Sequence, residues 1–183
     1  MLTVLLHGRG GSERDMQPIA ARLPGRTLCL RASHVRGKGF GWFDWRGRPP
    51  HVDEATGPAE EVLRVIEDEA ADDEPVTAIG WSEGSTLIVE VMRLRPARIA
   101  KAVLGTGFPV AGNRPTDLEL ARLRPPTYWV TGDSDDVIPA DAEGAEFRRF
   151  LDEHTALHAT VLTGVGHELR GGMNEALVAR ALA

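Results

Sequence analysis

Residues 79–86 read IGWSEGST, a serine with a glycine two positions to either side. What flanks this stretch decides the fold. VTAIGW (76–81) is a short apolar run of strand length, while the segment from Ser82 to about Arg95 carries Leu87, Ile88, Val91 and Leu94 at helical spacing. A serine on a sharp strand-to-helix turn keeps its hydroxyl exposed, and such a turn leaves no room for bulky side chains two residues away; Gly80, Gly84 and the small Ser85 meet that demand. The bare pattern is weak, since this composition yields roughly 0.06 chance matches per chain. Its placement between strand and helix gives it weight. Ser82 is therefore the candidate nucleophile, and the N–H of Glu83, aimed by the helix start, a candidate donor to a developing oxyanion.

Working outward, the pattern repeats. Apolar runs at 2–7, 27–32, 76–81, 101–106, 127–132 and 158–163 alternate with segments of helical period, and Gly, Pro or Asp mark most junctions. Alternation of this kind predicts an α/β fold with a parallel sheet, and runs that are apolar on both faces suit buried strands. Helices are expected from near Met16 with Asp15 as cap, because Pro18 argues against an earlier start, at 57–72, where Val62, Leu63, Ile66 and Ala70 share a stripe, at 82–95, 139–153 and 173–183, and weakly at 116–123. Residues 33–53 show no periodic pattern. A connection of that length in a compact fold is unusual and often functional.

The chain has 183 residues, a length that suits one domain spanning 1–183, and a formal net charge of −6. An acidic balance argues against a general nucleic-acid-binding surface, so small molecules are the expected partners. The single cysteine, Cys29, offers no disulfide framework and no metal cluster. MLTVLL has too short an apolar run for a leader, and a cytoplasmic protein with no membrane span is expected.

A serine nucleophile needs a base, and the base an orienting acid. Both are sought after later strands, in the order Ser, Asp, His. TGDSDDVIP (131–139) offers Asp133, Asp135 and Asp136, and GVGHEL (164–169) offers His167. The second oxyanion donor is sought in LLHGRGGSE (5–13), where Gly8, Gly10 and Gly11 allow amides to face a cavity and the N–H of Arg9 is the candidate. A strand followed by G-x-G and a helix also opens a dinucleotide site, but the third glycine position holds Glu13, and Arg31 stands where an NAD site has an acid. Arg31 leaves an NADP reading open.

Taken together, LLHGRGGSERDMQPIAARL, GWFD, IGWSEGS, TGDSDDVIP and GVGHEL resemble the phospholipase and carboxylesterase family of α/β-hydrolases, which includes acyl-protein thioesterases. The resemblance spans nearly the whole chain and implies a minimal α/β-hydrolase fold: about six mostly parallel strands, helices on both faces and no cap domain. It implies Ser82 as nucleophile, His167 as general base and Asp135 as triad acid, with Asp136 second, on the alignment of TGDSDDVIP with the family's H-G-x-x-D-x-x-V-P. It further implies Arg9 and Glu83 as oxyanion donors, and hydrolysis of carboxylic esters or thioesters without a cofactor. Glu83 stands where the family usually has Gln, and Thr131 where it often has His. The family's additional hairpin before the first strand has no counterpart here. That first strand would then present an exposed edge on which a homodimer could form.

Phe40, Trp42, Phe43 and Trp45 fall close together in the long connection and are candidates to wall an apolar substrate pocket. His34 and His51 flank it without a carboxylate at ligand spacing, so no metal is assigned. Two alternatives accompany the hydrolase reading: a non-catalytic binding protein of the same fold, and the NADP-binding domain. Acyl transfer and perhydrolysis share the acyl-enzyme and stay open beside hydrolysis.

Overall fold

The computed structural model describes residues 1–44 and 49–183. In chain order the strands are β1 (Leu2–Leu6), β2 (Arg26–Leu30), β3 (His34–Arg36), β4 (Gly39–Gly41), β5 (Val76–Trp81), β6 (Lys101–Gly105), β7 (Pro126–Gly132) and β8 (Ala156–Leu162). The helices are α1 (Glu13–Ala20), α2 (Val52–Glu69), α3 (Glu83–Leu94), α4 (Asp117–Leu123), α5 (Glu143–His154) and α6 (Gly172–Leu182). Six strands pair in the order β2-β1-β5-β6-β7-β8, every pair parallel, and β3 and β4 form a separate antiparallel pair.

The two-residue period of the strands divides the core into two layers. Leu2, Val4, Leu6, Ala78, Leu104 and Trp129 face one side, where Ala55, Val62, Leu87, Leu120 and Phe147 of α2 to α5 pack on them. Leu5, Ile79, Val103 and Val130 face the other, against Met16 and Ile19 of α1 and Met173 and Leu177 of α6. Helices thus cover both faces, and no cap domain is present among the described residues. None of these helices is long and apolar enough to cross a membrane.

Helix α5 begins at Glu143 rather than near 139, and two more helix starts and the place of β1 also differ from the sequence reading. Helix α1 begins at Glu13 and carries Pro18 inside it. The Asp15 carboxylate accepts the N–H of Ser12 at 2.7 Å and the Ser12 hydroxyl accepts the N–H of Arg14 at 3.3 Å, a cap that offsets the one backbone bond lost at the proline. Helix α2 begins at Val52, through Gly57 and Pro58, because His51 and Glu54 cap it in the same reciprocal way. Strand β1 is not an edge: β2 and β5 flank it on its two sides, so it has no free edge on which a second copy could pair. The sheet edges are β2 and β8.

The long connection also contains structure that the aperiodic sequence hid. Its β3–β4 pair folds back on the turn after β1, where Gly10 N–H donates to Phe40 O at 2.7 Å and Phe40 N–H to Gly11 O at 2.8 Å.

Candidate active site

Ser82 lies at the junction of β5 and α3 with φ +53° and ψ −117°, a backbone region that side chains other than glycine rarely adopt. Close packing holds it there. A Cβ at Gly80 would lie 2.5 Å from the Ser85 nitrogen, and one at Gly84 would lie 2.3 Å from the Leu6 carbonyl oxygen. The elbow is thus pressed directly onto the backbone of β1. Ser82 N–H donates to Gly105 O at 2.9 Å, which fixes the turn to β6 as well.

The ends of β7 and β8 bring the other two groups to this serine. His167 Nε2 lies 3.1 Å from Ser82 Oγ, and its Nδ1 lies 2.8 Å from Asp135 Oδ2. The other Asp135 oxygen accepts the N–H groups of Val137 at 3.0 Å and Ile138 at 2.8 Å. Burial opposes ionisation of Asp135, but the bond to His167 and these two backbone donors outweigh it and hold the carboxyl below its usual range. An ionised Asp135 accepts Nδ1–H and leaves Nε2 as the acceptor facing the serine hydroxyl. The neighbouring aspartates do other things. Asp133 accepts the N–H of Gly164 at 2.7 Å and the Ser134 hydroxyl at 2.9 Å, while Asp136 is exposed.

Three supporting side chains carried no clear signal in the sequence. The Thr106 hydroxyl, fully buried, donates to Asp135 Oδ2 at 3.3 Å from a residue with φ +51°. Trp81 packs its ring 5.0 Å from the His167 imidazole, tilted by 40°. His7 is buried; its Nδ1–H donates to Gly8 O at 2.7 Å and its Nε2 accepts the Ala32 N–H at 3.2 Å. Burial lowers the His7 pKa despite the opposing Gly8 bond, consistent with the neutral imidazole this pairing needs. The position of Thr106, just past β6, is the only hint the sequence offered.

Arg9 sits in the turn between β1 and α1, and Glu83 is the first residue of α3. Their side chains meet, Arg9 Nη1 to Glu83 Oε1, at 3.0 Å. Glu83, expected to matter through its backbone alone, has a carboxylate with no solvent exposure.

The aromatic residues of the connection depart from the pocket expectation. Phe43 is 1% exposed and meets Phe108 edge-on at 6.5 Å, and Trp42 is 5% exposed with its indole N–H donating to His7 O at 2.7 Å. Both are drawn into the core, since burying these large rings removes more apolar area from water than a pocket wall would. Phe40 is half-buried under the Arg31 guanidinium, and Trp45 lies outside the described residues. The groove beside the serine is built from other parts. It measures about 420 Å³ and is lined by Gly8, Arg9, Gly11, Arg14, Asp15, Pro18, Trp81 and Leu169. A cavity of about 450 Å³ between Trp129 and Arg148 is as large, but the groove is the one that reaches the serine, since its Trp81 packs on His167 and its Gly8 lies against Ser82.

The dinucleotide alternative meets opposing contacts. Arg31 is paired with Glu13, and the amides of Gly10 and Gly11 are already bonded to Phe40 O and Gly8 O.

A parallel sheet with a strained serine after β5, an aspartate after β7 and a histidine after β8 defines an α/β-hydrolase fold. Solved structures agree. A carboxylesterase from Mesorhizobium loti superposes with a TM-score of 0.83 at 21% identity, covering 97% of this chain and 86% of that one. The Bacillus cereus carboxylesterase gives 0.79 at 21% identity, covering 98% and 88%. Acyl-protein thioesterase 2 from Zea mays gives 0.76 at 17% identity, covering 97% and 90%. No family model matches the chain. No curated protein matches its sequence.

Proposed function

We propose that this chain is a serine hydrolase of carboxylic esters or thioesters, with Ser82 as nucleophile, His167 as general base and Asp135 as its orienting acid. One observation carries the reading: the unbroken series from Ser82 Oγ to His167 Nε2 at 3.1 Å and from His167 Nδ1 to Asp135 Oδ2 at 2.8 Å. The names of the solved relatives, two carboxylesterases and an acyl-protein thioesterase, support the same class.

In this mechanism the Ser82 proton passes to His167 Nε2 as Oγ attacks the acyl carbon. The carbonyl oxygen takes up the negative charge and is held by the N–H groups of Arg9 and Glu83. Collapse of the tetrahedral intermediate expels the alcohol or thiol, which receives the proton from His167. Water then enters, gives a proton to His167 and displaces Ser82 from the acyl group. The groove between Trp81, Leu169 and the turn at 8–11 takes one arm of the substrate.

A fluorophosphonate probe should label the folded protein at Ser82, and a panel of nitrophenyl esters and acyl thioesters of varied chain length should give turnover that Ser82→Ala abolishes. No labelling and no turnover across the panel would favour a non-catalytic binding protein of this fold.

A further inference from the structure

The two residues assigned as oxyanion donors are also joined through their side chains, and the joint is buried. Glu83 Oε1 meets Arg9 Nη1 at 3.0 Å, and Glu83 Oε2 accepts the backbone N–H of Trp42 at 2.9 Å. Arg9 Nη1 donates in addition to Phe43 O at 3.0 Å. The strap at 40–43 therefore touches the turn after β1 at Gly10 and Gly11, and the start of α3 through Glu83.

A fully buried carboxylate is costly to desolvate and is kept only with good partners. Its place matters too. A negative charge beside a site where an oxyanion forms would oppose the reaction, and the Arg9 guanidinium cancels it. Resting on the assignment of Arg9 and Glu83 as oxyanion donors, we propose that the Glu83 carboxylate is a positioning residue: together with Arg9 and the strap at Trp42 it holds the two oxyanion turns in register, as a charge-balanced clasp. The strap contributes to catalysis by bracing this clasp, and its tryptophan and phenylalanine serve as the anchor.

The clasp makes a specific pattern of effects. In Arg9→Met the backbone donor stays, but the Glu83 carboxylate loses the guanidinium at 3.0 Å, so kcat should fall about tenfold or more with KM changed less than about twofold. Glu83→Gln removes that charge while its amide oxygen can still accept the Trp42 N–H, so its loss should be smaller. The double variant should recover to the Glu83→Gln level, being faster than Arg9→Met alone, and the rate of fluorophosphonate labelling should follow kcat throughout. Glu83→Ala, which opens both arms, should lose about a hundredfold.

Rescue of kcat in the double variant, with every variant folded and assayed well below its melting temperature, is the decisive result, since a merely structural contact would be rescued in melting temperature while kcat of the folded protein stayed level throughout. If Arg9→Met and Glu83→Gln each keep kcat within about twofold while Ser82→Ala is inactive, the clasp is overturned and the hydrolase reading stands. Turnover retained by Ser82→Ala would instead overturn the hydrolase reading. Should Glu83→Ala fail to fold, as judged by circular dichroism and melting, Arg9→Met and its double variant still decide, because the Arg9 side chain is 35% exposed and its loss empties no core.

Discussion

Ser82 Oγ and His167 Nε2 lie 3.1 Å apart although 85 residues of chain separate them. Two features bring them together. The glycine elbow holds the serine at φ +53° against β1, and the parallel pairing of β5, β6, β7 and β8 brings the carboxyl-terminal ends of β5 and β8 to the same side of the molecule. Trp81, at the end of β5, packs its ring against the imidazole.

Asp135→Asn should lower kcat about 10³- to 10⁴-fold with little change in KM. The reason is the tautomer. One side-chain oxygen of Asp135 accepts two backbone N–H groups that cannot rotate away, so the asparagine amide must turn its NH₂ toward His167. The imidazole then carries its proton on Nε2 and cannot accept one from Ser82. Steady-state kinetics on any ester the wild type turns over will test this.

The same carboxylate should contribute to acid stability. Its folded pKa lies below the ordinary carboxyl value, about 3.9 in an unfolded chain, so its contribution is complete above that value. The contribution disappears as pH falls through the lower folded value. Thermal melts of wild type and Asp135→Asn should therefore converge on acidification, and a gap that widened toward low pH would contradict the sign.

Alanine at Gly84 should destabilise by at least about 1–3 kcal/mol, because its Cβ would sit 2.3 Å from the Leu6 carbonyl oxygen in a strand fixed on both sides. Gly57 makes the contrast. It lies within α2, a Cβ there meets nothing within 4 Å, and alanine should stabilise by about 0.5–1 kcal/mol. Denaturant midpoints for the two variants should move in opposite directions.

Arg93→Met should cost about 3–5 kcal/mol in an equilibrium denaturation experiment. Arg93 is 2% exposed on its side chain and pairs with Glu90 and Asp117, each at 2.8 Å, and donates to Gly112 O at 2.7 Å. Removing it leaves Glu90, 1% exposed, with Arg114 as its remaining ion-pair partner. A loss under about 1 kcal/mol would show that the network is energetically slack.

Much of this is legible in the sequence. The six sheet strands were read close to where they occur, because a buried parallel strand is apolar on both faces and stands out from helical periodicity. The helix starts were harder. Pro18 reads as a bar to an earlier start of the first helix, and the stripe of the second shows only over 57–72, while the caps at Ser12 and His51 that set the true starts are reciprocal bonds only three-dimensional geometry can show. The long connection failed for a similar reason: its β3 and β4 have three residues each, too few to display a period.

For the site, the sequence alone determined that Ser82 occupies a strand-to-helix turn between glycines, since the steric demand of that turn is written in local composition. It also ordered an aspartate cluster and a histidine after later strands. Which aspartate meets the histidine was decided by the tertiary structure, where the turn after β7 points Asp135 inward and spends Asp133 on the N–H of Gly164. So was the fate of Glu83 and of the rings at 42 and 43, because burial, charge pairing and the crossing of distant turns depend on what packs opposite, and no stretch of sequence carries its neighbour's contacts.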